Sequence, residues 1–142
     1  QYKLLHVPDL LSDHAYESLI QDPSVQEILQ LIRQSRIVIH GIGDAVEMAR
    51  RRKLATEIIE ELQEQGAVSG SFGYYFNDQG EVVHTMLTLG MRLQDIERTD
   101  VVIGIAGGKS KAAAIHSVLR FGQEDILIID EAAAEVIVAE ME

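Results

Sequence analysis

The sequence predicts an α/β fold, a mostly parallel sheet flanked by helices with a β-hairpin inserted into it. Three observations predict it. Towards the end of the chain, apolar β-branched runs alternate with amphipathic stretches, the βαβα rhythm of parallel strands joined by helical crossovers. The apolar content of 46% includes only 5% aromatics and no Trp, which suits Val/Ile/Leu/Ala-packed layers better than an aromatic-rich sandwich. Between the βα units lie two short β-like runs separated by Asn77-Asp78-Gln79-Gly80, which has hairpin turn chemistry.

The elements follow in order. Tyr2 to Val7 reads as a strand closed by Pro8, and Pro23-Ser24 opens a helix whose Val25, Ile28, Leu29 and Ile32 recur at helical spacing. Arg36 to His40 is a β-branched strand ending in Gly41-Ile42-Gly43-Asp44, where Asp44 can cap a helix. Ala55, Ile58, Ile59 and Leu62 mark a second amphipathic helix with an acidic outer face and a stop at Gly66. The hairpin pairs Ser71–Phe76 with Glu81–His84. Val101–Ala106 is a buried-type strand, Gly107-Gly108 a turn, and Ala112, Ile115 and Leu119 the apolar side of a helix. Ile126–Ile129 is a last strand, leading through Asp130 into an Ala-rich helix. At 142 residues the chain is expected to be a single domain, 1–142.

Charge and composition narrow the function. With 23 acidic against 12 basic side chains and a net charge of −11, most of the surface repels phosphate backbones, so this piece is not expected to grip DNA itself. A small anion remains compatible, because its site needs only local amides and cations. The chain has no Cys, hence no disulfide framework or thiolate chemistry, and together with the lack of a signal peptide or long apolar stretch this points to the cytoplasm. Its start, Gln1-Tyr2-Lys3-Leu4-Leu5, reads as a strand already under way, as expected of a fragment.

In sheets of this kind, ligands sit beyond the carboxyl ends of the strands, so the loops after Ile39, Ala106 and Ile129 are where a site is expected. The strongest signal there is Gly107-Gly108-Lys109-Ser110-Lys111: two glycines let backbone N–H groups approach an anion, and lysines at a helix start add positive potential. The pattern equally describes a tight βα turn with two solvated lysines, and the residues alone leave both readings open. It is not a Walker A loop, which needs four residues between its first Gly and the Gly-Lys pair where Gly104 and Gly108-Lys109 leave three. Gly41-x-Gly43 likewise starts a dinucleotide fingerprint that Val46 fails to complete.

Arg50-Arg51-Arg52-Lys53 is a basic knot about two helical turns after the Gly41–Gly43 loop. It can present a guanidinium to phosphate oxygens, or simply end a solvated helix. His6, His14, His40, His84 and His116 show no metal-ligand spacing and read as structural or exposed. No G-x-S-x-G elbow occurs, and Asp130 reads as an N-cap. No catalytic residue, metal or cofactor is expected.

The blocks His40-Gly41-Ile42-Gly43, Gly66-Ala67-Val68 leading to Phe72–Gly80, Ala106–Ala112 and Asp130-Glu131 resemble, in order and over nearly the whole chain, the effector domain of SorC-type bacterial transcription regulators. Within that family the resemblance is strongest to regulators of glycolytic genes in Gram-positive bacteria. It implies a fold like that of sugar-phosphate isomerases and deaminases, with catalysis lost and the pocket kept for sensing. It further implies a glycolytic sugar phosphate as ligand, fructose 1,6-bisphosphate first, whose binding alters contacts in a homo-oligomer and relieves repression. Operator DNA would be bound by a winged-helix region preceding this chain.

Carried over by position, Lys111 looks like a phosphate ligand and Arg51 like a second cation; Gly41, Gly43, Gly70, Gly107 and Gly108 are the other expected ligand-binding positions. The family usually has an acidic residue where this chain has Gly70, which puts a sugar-hydroxyl contact in doubt. The family's other phosphate loop, rich in Gly and Thr, would lie before residue 1. A sugar-phosphate isomerase or deaminase is the alternative reading. It requires a positioned general base, and no such group stands out.

Overall fold

The computed structural model describes all 142 residues, Gln1–Glu142. Its elements are α1 (Asp13–Gln21), α2 (Pro23–Arg33), β1 (Ile37–Gly41), β2 (Gly43–Asp44), α3 (Ala45–Arg51), α4 (Thr56–Glu64), β3 (Ala67–Ser71), β4 (Tyr74–Asn77), β5 (Val82–Thr85), α5 (Leu93–Glu97), β6 (Val101–Ala106), α6 (Ala112–Phe121), β7 (Ile126–Ile129) and α7 (Glu131–Met141). A single 3-10 turn, Lys109–Lys111, precedes α6. The helix starts are chemically specified: the side chains of Ser12, Asp22, Asp44 and Asp130 each accept a backbone N–H of the helix that follows.

The strands make two sheets. One is parallel, as the sequence predicts, and its strands run in the order β1-β6-β7. The other is antiparallel, in the order β2-β3-β4-β5, and it corrects the expectation of a single, mostly parallel sheet. The missed strands are the reason: β2 is the dipeptide Gly43-Asp44, and β3, Ala-Val-Ser-Gly-Ser, carries one β-branched residue. Likewise Ser71–Phe76 is not one strand. Phe72 and Gly73 take φ values of 55° and 81° and turn the chain between β3 and β4.

The expected strand at Tyr2–Val7 is also corrected. These residues form no ladder, Tyr2 is 84% exposed, and the segment is tied down by an ion pair between Lys3 and Glu27. Extended backbone becomes a strand only where a neighbour satisfies its N–H and C=O groups.

Two apolar clusters hold the layers. Helices α6 and α7 pack one face of the parallel sheet through Ile42, Ala112, Ile115, Val118, Ala133 and Ile137, joined by Leu127 and Ile129. Ala45, Ala49, Leu54, Leu62, Ala67, Tyr75 and Met86 bind α3 and α4 to the antiparallel sheet. Helix α6 also packs on β3 and β4, tying the sheets together, and Ser117 Oγ donates to the Asn77 carbonyl (2.6 Å) and meets Ser69 Oγ at 2.9 Å in the buried seam. Each fully buried aliphatic side chain contributes about 1.5–3 kcal/mol. The other face of the parallel sheet is uncovered: Ile37, Ile39, Ile105, Ile126 and Ile128 are each 42–64% exposed. No helix is long and apolar enough to cross a membrane.

Candidate ligand-binding rim

The parallel register brings the candidate loops together. Gly41 lies beside Ile105 and Ala106 beside Ile129, so the carboxyl ends of β1, β6 and β7 finish at one rim. That rim gathers Gly41–Gly43, Gly107–Lys111 and Asp130, the three loops expected from the sequence.

At the central loop, Gly108 has φ +97°, a conformation side chains resist. Its N–H donates to Asp130 Oδ2 at 2.9 Å, while Asp130 Oδ1 accepts the Ala133 N–H at 2.9 Å. These two bonds, the one from Ala133 first, hold the Asp130 carboxyl below the usual carboxylate range. A Cβ on Gly107 would stand 3.0 Å from Asp130 Oδ2, so glycine there lets the carboxylate close in. Asp130 is thus an N-cap, as expected, and also the clasp of the glycine turn. Lys111 is half-buried at the end of the 3-10 turn, which packs beside β2.

Gly43 and Gly70 are cross-strand partners in the antiparallel sheet. The Met48 side chain fills the space over both: its sulfur would lie 2.0 Å from a Cβ at Gly43 and 3.0 Å from one at Gly70. By contrast, nothing lies within 4 Å of a Cβ at Gly41, so the backbone there is open to approach. Met48 also lines a cleft of about 300 Å³ with Asp9, Arg51 and Arg52. Arg51 is 77% exposed and pairs with Glu47 at 2.6 Å, an exposed contact of about 0–1 kcal/mol that leaves the guanidinium available to a stronger anion. Arg52 is more enclosed, reaching Asp9 (3.3 Å) and Met86 sulfur (3.4 Å).

One functional-looking cluster escaped the sequence reading. His40, read as structural or exposed, has a side chain 7% exposed, with Nε2 2.9 Å from Oε1 of Glu124, itself 4% exposed. The partners are 84 residues apart and meet only because β1 and the loop before β7 both flank β6. No group of His, Cys, Asp and Glu is arranged to hold a metal ion.

Comparison with known proteins places this arrangement. The Sugar-bind family model, that of a sugar-binding domain, matches residues 1–139. A crystal structure from Enterococcus faecalis assigned to the SorC family of transcriptional regulators superposes with a TM-score of 0.90 at 42% identity, over 96% of this chain and 56% of that one. The chain belongs to the SorC-type sugar-binding domain family. Its relatives in the family include the central glycolytic genes regulators of Priestia megaterium, 50% identical over 137 residues, and of Bacillus subtilis, 44% identical over 134 residues. This sugar-binding domain covers 96% and 94% of itself but only 40% and 39% of those regulators. The full-length sorbitol operon regulator SorC of Klebsiella pneumoniae shares the fold, with a TM-score of 0.82 at 19% identity over 92% of this chain and 45% of that one.

Proposed function

We propose that this chain is the C-terminal part of the effector-sensing region of a cytoplasmic repressor of glycolytic genes, and that its rim receives a phosphate of a sugar phosphate, fructose 1,6-bisphosphate first. The observation that carries the reading is the convergence on Gly43. The turn bearing Lys111 packs beside β2, and Met48, which lies over Gly43, shares its cleft with Arg51. Lys111 and Arg51 thus approach β2 from two different elements, which supports an anion site there in a chain of net charge −11. Gly107 and Gly108 shape the loop between them, and Gly41 offers open backbone. With Gly70 carrying no side chain, a sugar hydroxyl finds no acceptor at that position.

Binding acts without chemistry: a ligand that fits one arrangement of the rim better than another shifts the balance of homo-oligomer contacts, and so the grip of a separate DNA-binding region on its operator. The His–carboxylate pair, His40–Glu124, is sealed from solvent and gives a sugar carbon no general base. The layout of strands and rim supports kinship with sugar-phosphate isomerases and deaminases in fold alone.

The uncovered isoleucine face supports the domain reading. Parallel sheets are covered on both faces, and the relatives are more than twice this chain's length; the remainder of the effector region would supply the second layer and the other phosphate loop. The test is an operator-binding titration of the full-length protein with mono- and bisphosphorylated sugars. Release by fructose 1,6-bisphosphate is expected. Operator affinity indifferent to every sugar phosphate, with no turnover of any, contradicts the reading.

A further inference from the structure

We infer that His40 is a positioning residue for the rim: through Ser71 it fixes the Gly41 peptide, and Glu124 holds its ring from behind. The inference rests on the rim being the ligand site.

The Gly41–Ile42 peptide is held from both sides. Its N–H, on Ile42, donates to the Ile105 carbonyl at 3.2 Å, and its carbonyl, on Gly41, accepts the Ser71 hydroxyl at 3.0 Å. The peptide plane is thus pinned from β6 on one side and from the end of β3 on the other. That pinning fixes the direction in which the open backbone of Gly41 faces. Ser71 Oγ in turn lies 2.7 Å from His40 Nδ1. The hydroxyl that donates to Gly41 thus also meets the ring nitrogen, which itself stands 3.2 Å from the Gly41 carbonyl. At the far side, Nε2 lies 2.9 Å from Glu124 Oε1. Glu124, His40, Ser71 and Gly41 thus form one continuous chain of polar contacts in which each member orients the next.

Packing alone does not account for this arrangement. Glu124 Oε2 is buried with no hydrogen-bond partner, a cost that apolar side chains of similar volume would avoid while joining the layers at least as well. Gly104 is buried and leaves room for the pair: a Cβ there would lie 3.1 Å from Glu124 Cγ and 3.6 Å from His40 Nε2. The ring also stacks 4.3 Å from Phe72, whose φ of 55° is a strained value for a non-glycine residue. An expensive buried polar chain ending on one peptide of the glycine rim is what support of a ligand site requires.

The test titrates the full-length protein with fructose 1,6-bisphosphate by calorimetry, comparing wild type with His40→Leu, Ser71→Ala and, as a control for general softening, the core truncation Ile96→Val. Ile96 is 2% exposed in α5. Affinity is expected to fall roughly tenfold or more in His40→Leu and Ser71→Ala, and to stay unchanged in Ile96→Val. Ser71→Ala keeps the ring and its direct 3.2 Å contact with the Gly41 carbonyl and removes the hydroxyl that joins them, so it tests the Ser71 link if His40→Leu does not fold. No binding by the wild type overturns the functional reading itself. Wild-type binding with an unchanged affinity in Ser71→Ala, or an equal loss in Ile96→Val, overturns the positioning role alone.

Discussion

The Asp130 carboxylate takes the Gly108 amide proton across a 2.9 Å hydrogen bond, closing the turn that carries Lys111 onto the cap of the last helix. That amide is consequently committed to the protein. In the proposed site, the turn would meet the ligand with its shape, its remaining amides and Lys111.

Because those bonds lower the carboxyl's pKa from the ordinary 3.8, the clasp contributes stability that is complete above that value and lost as pH falls through the lower folded-state value. Thermal melts of wild type and Asp130→Asn across pH 2–7 check this: the wild type is expected to melt higher at neutral pH, with the gap closing in acid. A gap independent of pH would show that the charge contributes nothing.

Gly80 and Gly41 make a contrasting pair. Gly80 has φ +79° and a Cβ there would lie 2.5 Å from the Phe121 nitrogen, a backbone atom that cannot swing aside. Gly80→Ala is expected to cost about 2 kcal/mol or more in urea unfolding. Gly41→Ala, with open space around it, is expected to leave stability within about 0.5 kcal/mol and to weaken ligand binding by crowding the rim.

Ser117 is fully buried and its hydroxyl serves both Ser69 and the Asn77 carbonyl. Ser117→Ala leaves both without that partner, and about 1–3 kcal/mol of stability is expected to be lost. Denaturant midpoints measure it, with Ser117→Thr as a check on whether the added methyl, rather than the bond, controls the site.

Much of the fold was legible in the sequence. The runs at Ile37–His40, Val101–Ala106 and Ile126–Ile129 are β-branched and bounded by Gly or Asp, so their pattern matched their structure, and the parallel register then brought three separate loops to one rim. Ala67–Ser71 was missed because its small residues carry no β signal, although they are what lets α6 seat closely on β3. Tyr2–Val7 misled in the opposite sense: its pattern is strand-like, but a pattern does not supply a partner. The candidate cations were visible as Arg51 and Lys111; that Met48 would bridge Gly43 and Gly70, and that Glu124 would reach His40, depends on strand order and could not be seen in spacing.

The uncovered sheet face yields a separate expectation. Ile37, Ile39 and Ile128 are more than half exposed on one apolar surface, so the isolated 142-residue chain should bind a hydrophobic dye strongly, and the full-length protein should not. Equal dye binding by the two would mean that the rest of the protein leaves this face bare.

The most direct measurement is calorimetric titration of the full-length protein and its Lys111→Ala variant with fructose 1,6-bisphosphate. Loss of one charge-assisted bond to a phosphate predicts an affinity weaker by roughly 10- to 100-fold with the fold intact. An unchanged affinity would remove Lys111 from the site and contradict the rim as the phosphate-binding element.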